Sequence, residues 1–529
     1  MTSEGIRGTA EIMRMQTGKW VIFATVLASS MAFIDLTALN VVRPTIQEDL
    51  GASGSQLLWI DNAYLVMLAA LILVGGSLGD HFGRKRVFMV GITGFMVASV
   101  ICGLSPSANV LIAGRAVQGI GGALLVPGSL AIIAAFFAAD VRGKAIGTWS
   151  SMTTLATIAG PILGGVLANA GLWRGVFFIN VPLGVSALAI LYFKVPESRD
   201  ESASQELDYW GALLVTLGLA GMSYGLIQAP QDGFDDPLVL AGLIGGVAAL
   251  TGFVLVEAFS KHPMVSLSYF KSRTFSGANL LTLFLYGALT AALLFLPLNL
   301  VQVQGYAENE VGLVFLPFTI SLILLSRWAG GLVDRYGPRL PLTIGPAIVG
   351  VGFFTMTLPG ITGGFGDFWT TFFPPMLIMG LGMGVTVAPL TTAVMGSVSS
   401  AHSGVASGVN NAVSRVAGVL AIAIMGALAL LVFRDAVIAD TVALSLPDEA
   451  RLELEQETEN LFGAAVPESL PAESAAQVQT AIRGASVETF RLVFYIAAGM
   501  AAFSALLAAL LVESRMKPVD VEAEKHSTP

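Results

Sequence analysis

The chain has one cysteine, Cys102, and four histidines among 529 residues. A single thiol forms no internal disulfide and anchors no cysteine-based metal site. The histidines, His81, His262, His402 and His526, stand far apart without metal-ligand spacing. Charge is equally scarce: 12% of residues are Asp, Glu, Lys or Arg, about half the share of a soluble domain. No Walker loop, nucleophile elbow or HExxH motif is present. The chain is therefore not expected to be an enzyme or to hold a metal or cofactor, and energy for any work must come from an ion gradient. No nucleic-acid partner is expected.

What fills the chain is hydrocarbon. Apolar stretches of 18 or more residues recur from Trp20 to beyond Leu510, each long enough to cross a bilayer core of roughly 30 Å as a helix. Fourteen such spans are expected, in an all-α membrane protein. Lys and Arg accumulate in cytoplasmic loops. With the N-terminus placed inside, 18 of the 27 basic residues fall on that side, among them Arg84, Lys85, Arg86, Arg142, Lys144 and Arg339. Both termini are thus expected in the cytoplasm, and the chain in the cytoplasmic (inner) membrane. Residues 1–19 are polar and lead into a full-length span, so they read as a cytoplasmic segment rather than a removable signal peptide. The net charge of −9 belongs to one loop, since residues 434–488 carry eleven acids against three bases. The stretch 433–488 reads as an external acidic loop, a small helical hairpin with helices over 446–462 and 475–484 between the last two spans, forming a solvated face, a lid or a cation-attracting vestibule.

The later half of the chain repeats the earlier one. The stretches GSLGDHFGRK (76–85) and GGLVDRYGPR (330–339) share Gly76, Leu78, Asp80, Gly83 and Lys85 with Gly330, Leu332, Asp334, Gly337 and Arg339. Gly122 and Pro127 likewise match Gly384 and Pro389. The offsets of 254 and 262 residues exceed what six spans with short loops require, so two spans are inserted between the halves. The expected organisation is a six-helix bundle over 20–193, a cytoplasmic linker at 194–209, two inserted helices over 210–258, a second six-helix bundle over 275–512, and a tail at 513–529. Pseudo-symmetric bundles around a midplane cavity are the architecture of alternating-access transporters.

Ionisable groups inside the spans are the candidates for function. Asp35, in FIDLTALNVVRP, costs about 2.5 to 3.5 kcal/mol near a helix centre, so it must face protein or water. Burial opposes the charged form of a carboxylate, which suits a proton carrier; a structural hydrogen bond, to Asn40 or another helix, is the alternative. Asp61, in LLWIDNAYLV, lies near a helix start, where the macrodipole also favours a carboxylate. Arg115, in IAGRAVQGIGG, reads as the partner of a buried acid, displaced by proton or substrate or else static, beside small residues that let helices approach. Arg327 and Arg415 are expected nearer the inner ends, reaching headgroups. In AGPILGG, Pro161 bends a helix, while Gly160, Gly164 and Gly165 offer a flat seam. Asp80, Gly83, Arg84 and Lys85 form a tight inner turn whose charges pair in one conformation and release in another, and the turn recurs at Asp334 to Arg339.

Together these motifs resemble the major facilitator superfamily. GGSLGDHFGRKR is similar to its inner-loop signature, LIAGRAVQGIGG to its fourth-helix arginine motif and AGPILGG to its fifth-helix antiporter motif. DLTALNVVRP, WRGVFFINVPLG (173–184) and SGVASGVNNAVSR (403–415) resemble motifs of the fourteen-helix drug:proton antiporters. The chain departs from that pattern at Arg43, where a hydrophobic residue is usual, and at Trp173, Arg174 and Gly175, where many members have Trp-Arg-Trp. Arg43 is expected either to pair with an outer carboxylate or to repel a cationic substrate.

The resemblance implies a major facilitator fold of 14 transmembrane helices in two pseudo-symmetric six-helix bundles plus two inserted helices. It implies Asp35 as proton carrier and Asp61 as contact for a substrate cation, with the proton as coupling ion. Phe33, Trp59, Tyr64 and Tyr286 then read as cation–π contacts or as ordinary packing. The leading expectation is a monomeric antiporter that exports lipophilic cations such as quaternary ammonium compounds, dyes and biocides. A dedicated exporter of one metabolite or lipid, and a non-transporting receptor or scaffold, are the alternatives.

Overall fold

In the computed structural model the described residues are 3–137, 139–198, 208–260, 263, 265–398, 403–442, 444, 446–467 and 469–514. They form helices and loops, with no β-strand among them. Twelve helices among the described residues are long and apolar enough to cross a membrane, and two shorter apolar stretches, Leu155–Asn169 and Arg339–Thr355, add to them.

The first long helices are α1 (Ser3–Leu50), α2 (Gly54–Phe82), α3 (Arg84–Gly103), α4 (Ala108–Phe136), α5 (Ala139–Asn169) and, after a helical turn at Gly175–Phe178, α6 (Asn180–Lys194). Then come α7 (Tyr209–Asp232) and α8 (Pro237–Phe259). The remainder comprises α9 (Arg273–Leu298) with a π-helical turn at Asn299–Val303, a short helix Glu308–Val314, α10 (Leu316–Tyr336), α11 (Arg339–Thr355), α12 (Phe373–Gly396), α13 (Ser403–Thr441), an acidic helix Asp448–Glu457 and α14 (Ala472–Leu511). Local chemistry sets the starts. Ser53 and Gln56 form a reciprocal capping box at α2, and Asp236 caps α8 ahead of Pro237 in its first turn.

In the first half α1 packs on α5 and α6, and α4 packs on α2 and α3; in the later half α12 packs on α10 and α11, and α14 on α9 and α11. The repeated residues hold corresponding places. Gly83 (φ +107°) and Gly337 (φ +74°) each make the turn between consecutive helices, α2 to α3 and α10 to α11, in a backbone region that a side chain would strain. Glu197 accepts from the backbone N–H groups of Lys85 (2.9 Å) and Arg86 (3.2 Å), capping α3, while Lys85 Nζ donates to the Val195 carbonyl at 2.8 Å. The first turn thus docks on the chain that follows α6. A Cβ on Gly337 would collide with the carbonyl of Ser514, just past α14, so the second turn docks in the corresponding place. Asp80 and Asp334 end α2 and α10, but their side chains lie outside the described set, as does that of Arg327. Arg339 opens α11 with an exposed side chain. Gly76 has ordinary space, its Cβ position being 3.9 Å from Pro127; the close approach of α2 to α4 falls at its neighbour Gly75, against the Ala123 carbonyl.

The acidic helix shares one face of the molecule with the α1–α2 turn, and this is called the hairpin face below. Here the halves meet. A Cβ on Gly165 of α5 would lie 2.7 Å from the Glu308 carbonyl oxygen, and one on Gly312 would lie 2.6 Å from that of Pro161. Gly164 and Gly160 instead receive α1, at Ala38 and Thr37. AGPILGG therefore serves two seams, one inside the first half and one between the halves. α7 packs on both α2 and α13 and so bridges the halves, whereas α8 packs mainly on α7 and is largely exposed.

Two local expectations change. α14 runs without a break from Ala472, so 475–484 is the beginning of the last long helix rather than a separate one; no proline lies between, and Gly484 alone costs a helix only about 1 kcal/mol. The acidic segment is also more than a solvated face. Its 3₁₀ turn, Thr458–Gly463, inserts between the halves, with Phe462 against Phe295 and Phe433 and the Asn460 carbonyl accepting from Gln47 Nε2 at 2.8 Å.

Gly165→Val should lower the thermal midpoint in detergent by the equivalent of about 1–3 kcal/mol through overpacking. Gly245→Ala, where a Cβ would meet nothing within 4 Å, should leave the midpoint unchanged or slightly raised. Equal midpoints for the two variants would mean that the α5 seam is not close-packed.

Candidate ion-coupling and substrate site

The α1 carboxylate expected to carry function sits at the centre of the first half. Asp35 is 0% exposed and pairs with Arg115 of α4, Oδ2 to Nη1, at 2.6 Å. Its other oxygen, Oδ1, accepts from Gln118 Nε2 (2.8 Å) and Asn180 Nδ2 (3.3 Å), and both amides also donate to Ser99 Oγ, at 2.9 and 3.1 Å. Arg115 donates further to Gln118 Oε1 (2.5 Å) and to the Ile60 carbonyl (3.2 Å), and the Tyr64 ring covers it with its centroid 4.4 Å from Cζ. Ser99, Arg115, Gln118 and Asn180 are all 0% exposed. Five helices, α1, α2, α3, α4 and α6, thus converge on one ion pair. In a low-dielectric interior such a pair persists only when its remaining lone pairs and protons are matched. Two atoms are not matched: Arg115 Nη2 and Asn180 Oδ1.

Sequence reasoning found Asp35 and Arg115 and missed Ser99, Gln118 and Asn180. A signal was present, because Gln118 and Asn180 are intramembrane amides inside the motifs IAGRAVQGIGG and WRGVFFINVPLG. Asn40 does not bond Asp35; its Oδ1 accepts from Arg43 Nη2 at 2.7 Å.

Arg43 takes the first of its two expected roles. It pairs with Asp61 of α2, Nη2 to Oδ2 at 2.7 Å and Nε to the same oxygen at 2.8 Å, with both side chains buried. Its remaining nitrogen reaches the other half of the molecule. Pro297 has no N–H to offer the carbonyl four residues earlier in α9, and that carbonyl, of Leu293, accepts from Arg43 Nη1 at 3.0 Å. Arg43 therefore joins α1, α2 and α9. Asp61 is consequently not a free carboxylate, although its Oδ1 is buried without a donor. Trp173 and Arg174 anchor the hairpin face, both donating to Asp49 Oδ2, at 3.1 and 2.6 Å.

The four aromatic candidates separate. Tyr64 is buried under Arg115, edge-on to Phe95, and Phe33 and Trp59 are half-buried. Tyr286 borders a cavity of 200 Å³ formed with Val387, Leu390 and Thr391 of α12 and Ser407, Asn411 and Ser414 of α13. Arg415 stands nine residues after Ala406 in the apolar stretch Ala406–Thr441 of α13. A second cavity, of 460 Å³, opens on the hairpin face between Gln47 and Glu48 of α1, Gln302, Asn460 and Arg483.

Arg115→Gln, which strands the Asp35 carboxylate, should cost about 3–5 kcal/mol of stability, read as a lower denaturation midpoint. The double variant Asp35→Asn/Arg115→Gln should lie well above the sum of the single losses. Simple additivity would mean that the two groups do not act as a pair.

Residues 25–422 match the family model described as Major Facilitator Superfamily. The tetracenomycin C resistance and export protein of Streptomyces glaucescens is 32% identical over 409 residues, covering 77% of this chain and 75% of that protein. The methylenomycin A resistance protein of Bacillus subtilis (strain 168) is 30% identical over 423 residues, covering 79% and 89%. Among solved structures, a bacterial homolog of the human lysosomal transporter Spinster, inward-facing and unoccupied, superposes with a TM-score of 0.65 at 18% identity, over 95% of this chain and 99% of that one. It shares the fold. With a family match across three quarters of its length and relatives of 30% identity or more over most of the chain, this multi-pass membrane protein belongs to the major facilitator superfamily of transporters.

Proposed function

We propose that the chain is a proton-coupled efflux antiporter of the cytoplasmic membrane. It crosses fourteen times in a six, two and six arrangement, has both termini in the cytoplasm and works as a monomer without cofactors. The observation that carries this reading is the Asp35–Arg115 pair, which is 0% exposed and clamps α1 to α4. The pair joins the two helices only while Asp35 is ionised. Protonation of Asp35 removes that attraction and leaves Arg115 with Gln118, the Ile60 carbonyl and the Tyr64 ring. The pair is thus a switch between two packings of α1 and α4, set by proton occupancy.

The contacts at the hairpin face give that switch something to move. On the charge reading this face is external, and it is closed by Arg43 on Leu293, Gly165 against Glu308, and Gln47 between Gln302 and Asn460. Opening it exposes Asp35 to the more acidic side, where it loads a proton; closing it and opening the other face releases the proton and admits cargo. Each proton moved inward gains about 2.3 kcal/mol per 100 mV of inside-negative potential.

Cargo of the lipophilic cation class, quaternary ammonium compounds included, would engage Asp61 through its unpartnered Oδ1 or by displacing Arg43. The names of the relatives, resistance proteins for tetracenomycin C and methylenomycin A, favour a second reading in which one antibiotic-like compound is exported. Proton release from acid-loaded inside-out vesicles on adding compounds one at a time tests both. Wild type should respond, and Asp35→Asn should lose at least about 90% of the response, since a group that carries the proton is required in every turnover. Response to several unrelated compounds supports multidrug export, response to one supports dedicated export, and an unchanged response in Asp35→Asn would remove Asp35 from the coupling path.

A further inference from the structure

Most arginines lodged within the long helices have acceptors. Arg43 has Asp61, Arg115 has Asp35, and Arg434 and Arg491 donate to the carbonyls of Pro230 and Thr357, at 2.9 and 3.0 Å. Arg415 of α13 differs. It is half-buried, its Nε is buried with no acceptor, and it makes no hydrogen bond or ion pair among the described residues. A buried donor on a cation is costly to leave unmatched, so an acceptor that the protein does not supply has a place there.

The surroundings point to what that acceptor belongs to. One turn further along α13, Gly418 lies against Leu65 of α2 and Thr290 of α9, which places this stretch of helix on the seam between the halves. Asn411, one turn earlier, and the adjacent Ser414 line the 200 Å³ cavity, together with Tyr286 and the apolar side chains of Val387 and Leu390. The buried carboxylates of α1 and α2, Asp35 and Asp61, are already paired with arginines.

We infer that Arg415 binds the anionic group of the cargo, and that the cargo class is amphipathic organic anions, carboxylates or ionised phenols with an aromatic body. A guanidinium presents paired N–H donors that match a carboxylate. Tyr286, Val387 and Leu390 give an apolar wall for a ring, and Asn411 and Ser414 supply neutral polar contacts. The inference rests on the exporter reading and names its cargo. It has a bioenergetic consequence: exchanging an anion for an incoming proton moves two charges in the direction the potential favours, whereas exchanging a monovalent cation for a proton moves none.

The test uses one aromatic body with three head groups: naphthylacetate, its methyl ester and naphthylmethyl-trimethylammonium. Binding of each to the purified full-length protein is measured by calorimetry for wild type, Arg415→Lys and Arg415→Gln. Wild type should prefer the carboxylate over the ester by about tenfold, the usual worth of a charge-assisted hydrogen bond. Arg415→Lys should retain part of that preference, and Arg415→Gln should abolish it while binding the ester as before. Equal wild-type affinities, preference for the ammonium compound, or an undiminished preference in Arg415→Gln each overturns the inference; the wild-type series decides it even if Arg415→Gln does not fold. Proton flux in vesicles separates the two readings. Charge-selective binding without flux from any compound upholds the site and overturns the exporter, whereas flux driven by the ammonium compound without anion binding upholds the exporter and overturns the site.

Discussion

A charge taken out of water into a hydrocarbon-walled bundle must be answered by another, and the first half of this protein is organised around one such answer, Asp35 to Arg115 at 2.6 Å. The Coulombic attraction alone does not offset the desolvation of both groups. Gln118, Asn180 and Ser99 complete the cluster by taking up the carboxylate oxygen that the guanidinium leaves, and Tyr64 covers the cation's face. Because these groups come from α1, α2, α3, α4 and α6, the angles at which the helices cross and the ionisation of one carboxylate are a single problem. On the proposed coupling reading, a change of proton occupancy is a change of packing.

The same rule governs the contact between halves, with backbone as the acceptor. Arg43 answers Asp61 within the first half, and its remaining nitrogen is answered by the Leu293 carbonyl that Pro297 leaves without its helical donor. The bond is therefore available without breaking a helix. Around it the backbones approach closely at small residues, Gly165 and Gly312 among them, and Gln47 joins Gln302 to the Asn460 carbonyl.

The turns at Gly83 and Gly337 show how the sequence repeat becomes a structural one. Each places a positive φ between consecutive helices, and each docks on the chain that follows the last helix of its own half, at Glu197 and at Ser514. The repeat motif was readable because it combines a conformational demand, glycine, with a positional one. The docking partners were not readable, since Glu197 and Ser514 stand in no motif and reach the turns only through the fold.

The sequence by itself determined the apolar helices, the repeated halves, the family, and the two residues, Asp35 and Arg115, on which the coupling proposal rests. It could do so because crossing a bilayer imposes length and apolarity, and because a rare intramembrane charge is conspicuous against that background. Only the tertiary structure decided which charges answer which. It gave Asp61 to Arg43, so that a cation there must use the one remaining oxygen or displace the guanidinium, it separated Tyr64 from Tyr286, and it left the Nε of Arg415 without an acceptor. Pairing depends on distances of a few ångströms between residues as far apart in the chain as Arg43 and Leu293. Composition, periodicity and spacing carry no record of distances at that separation.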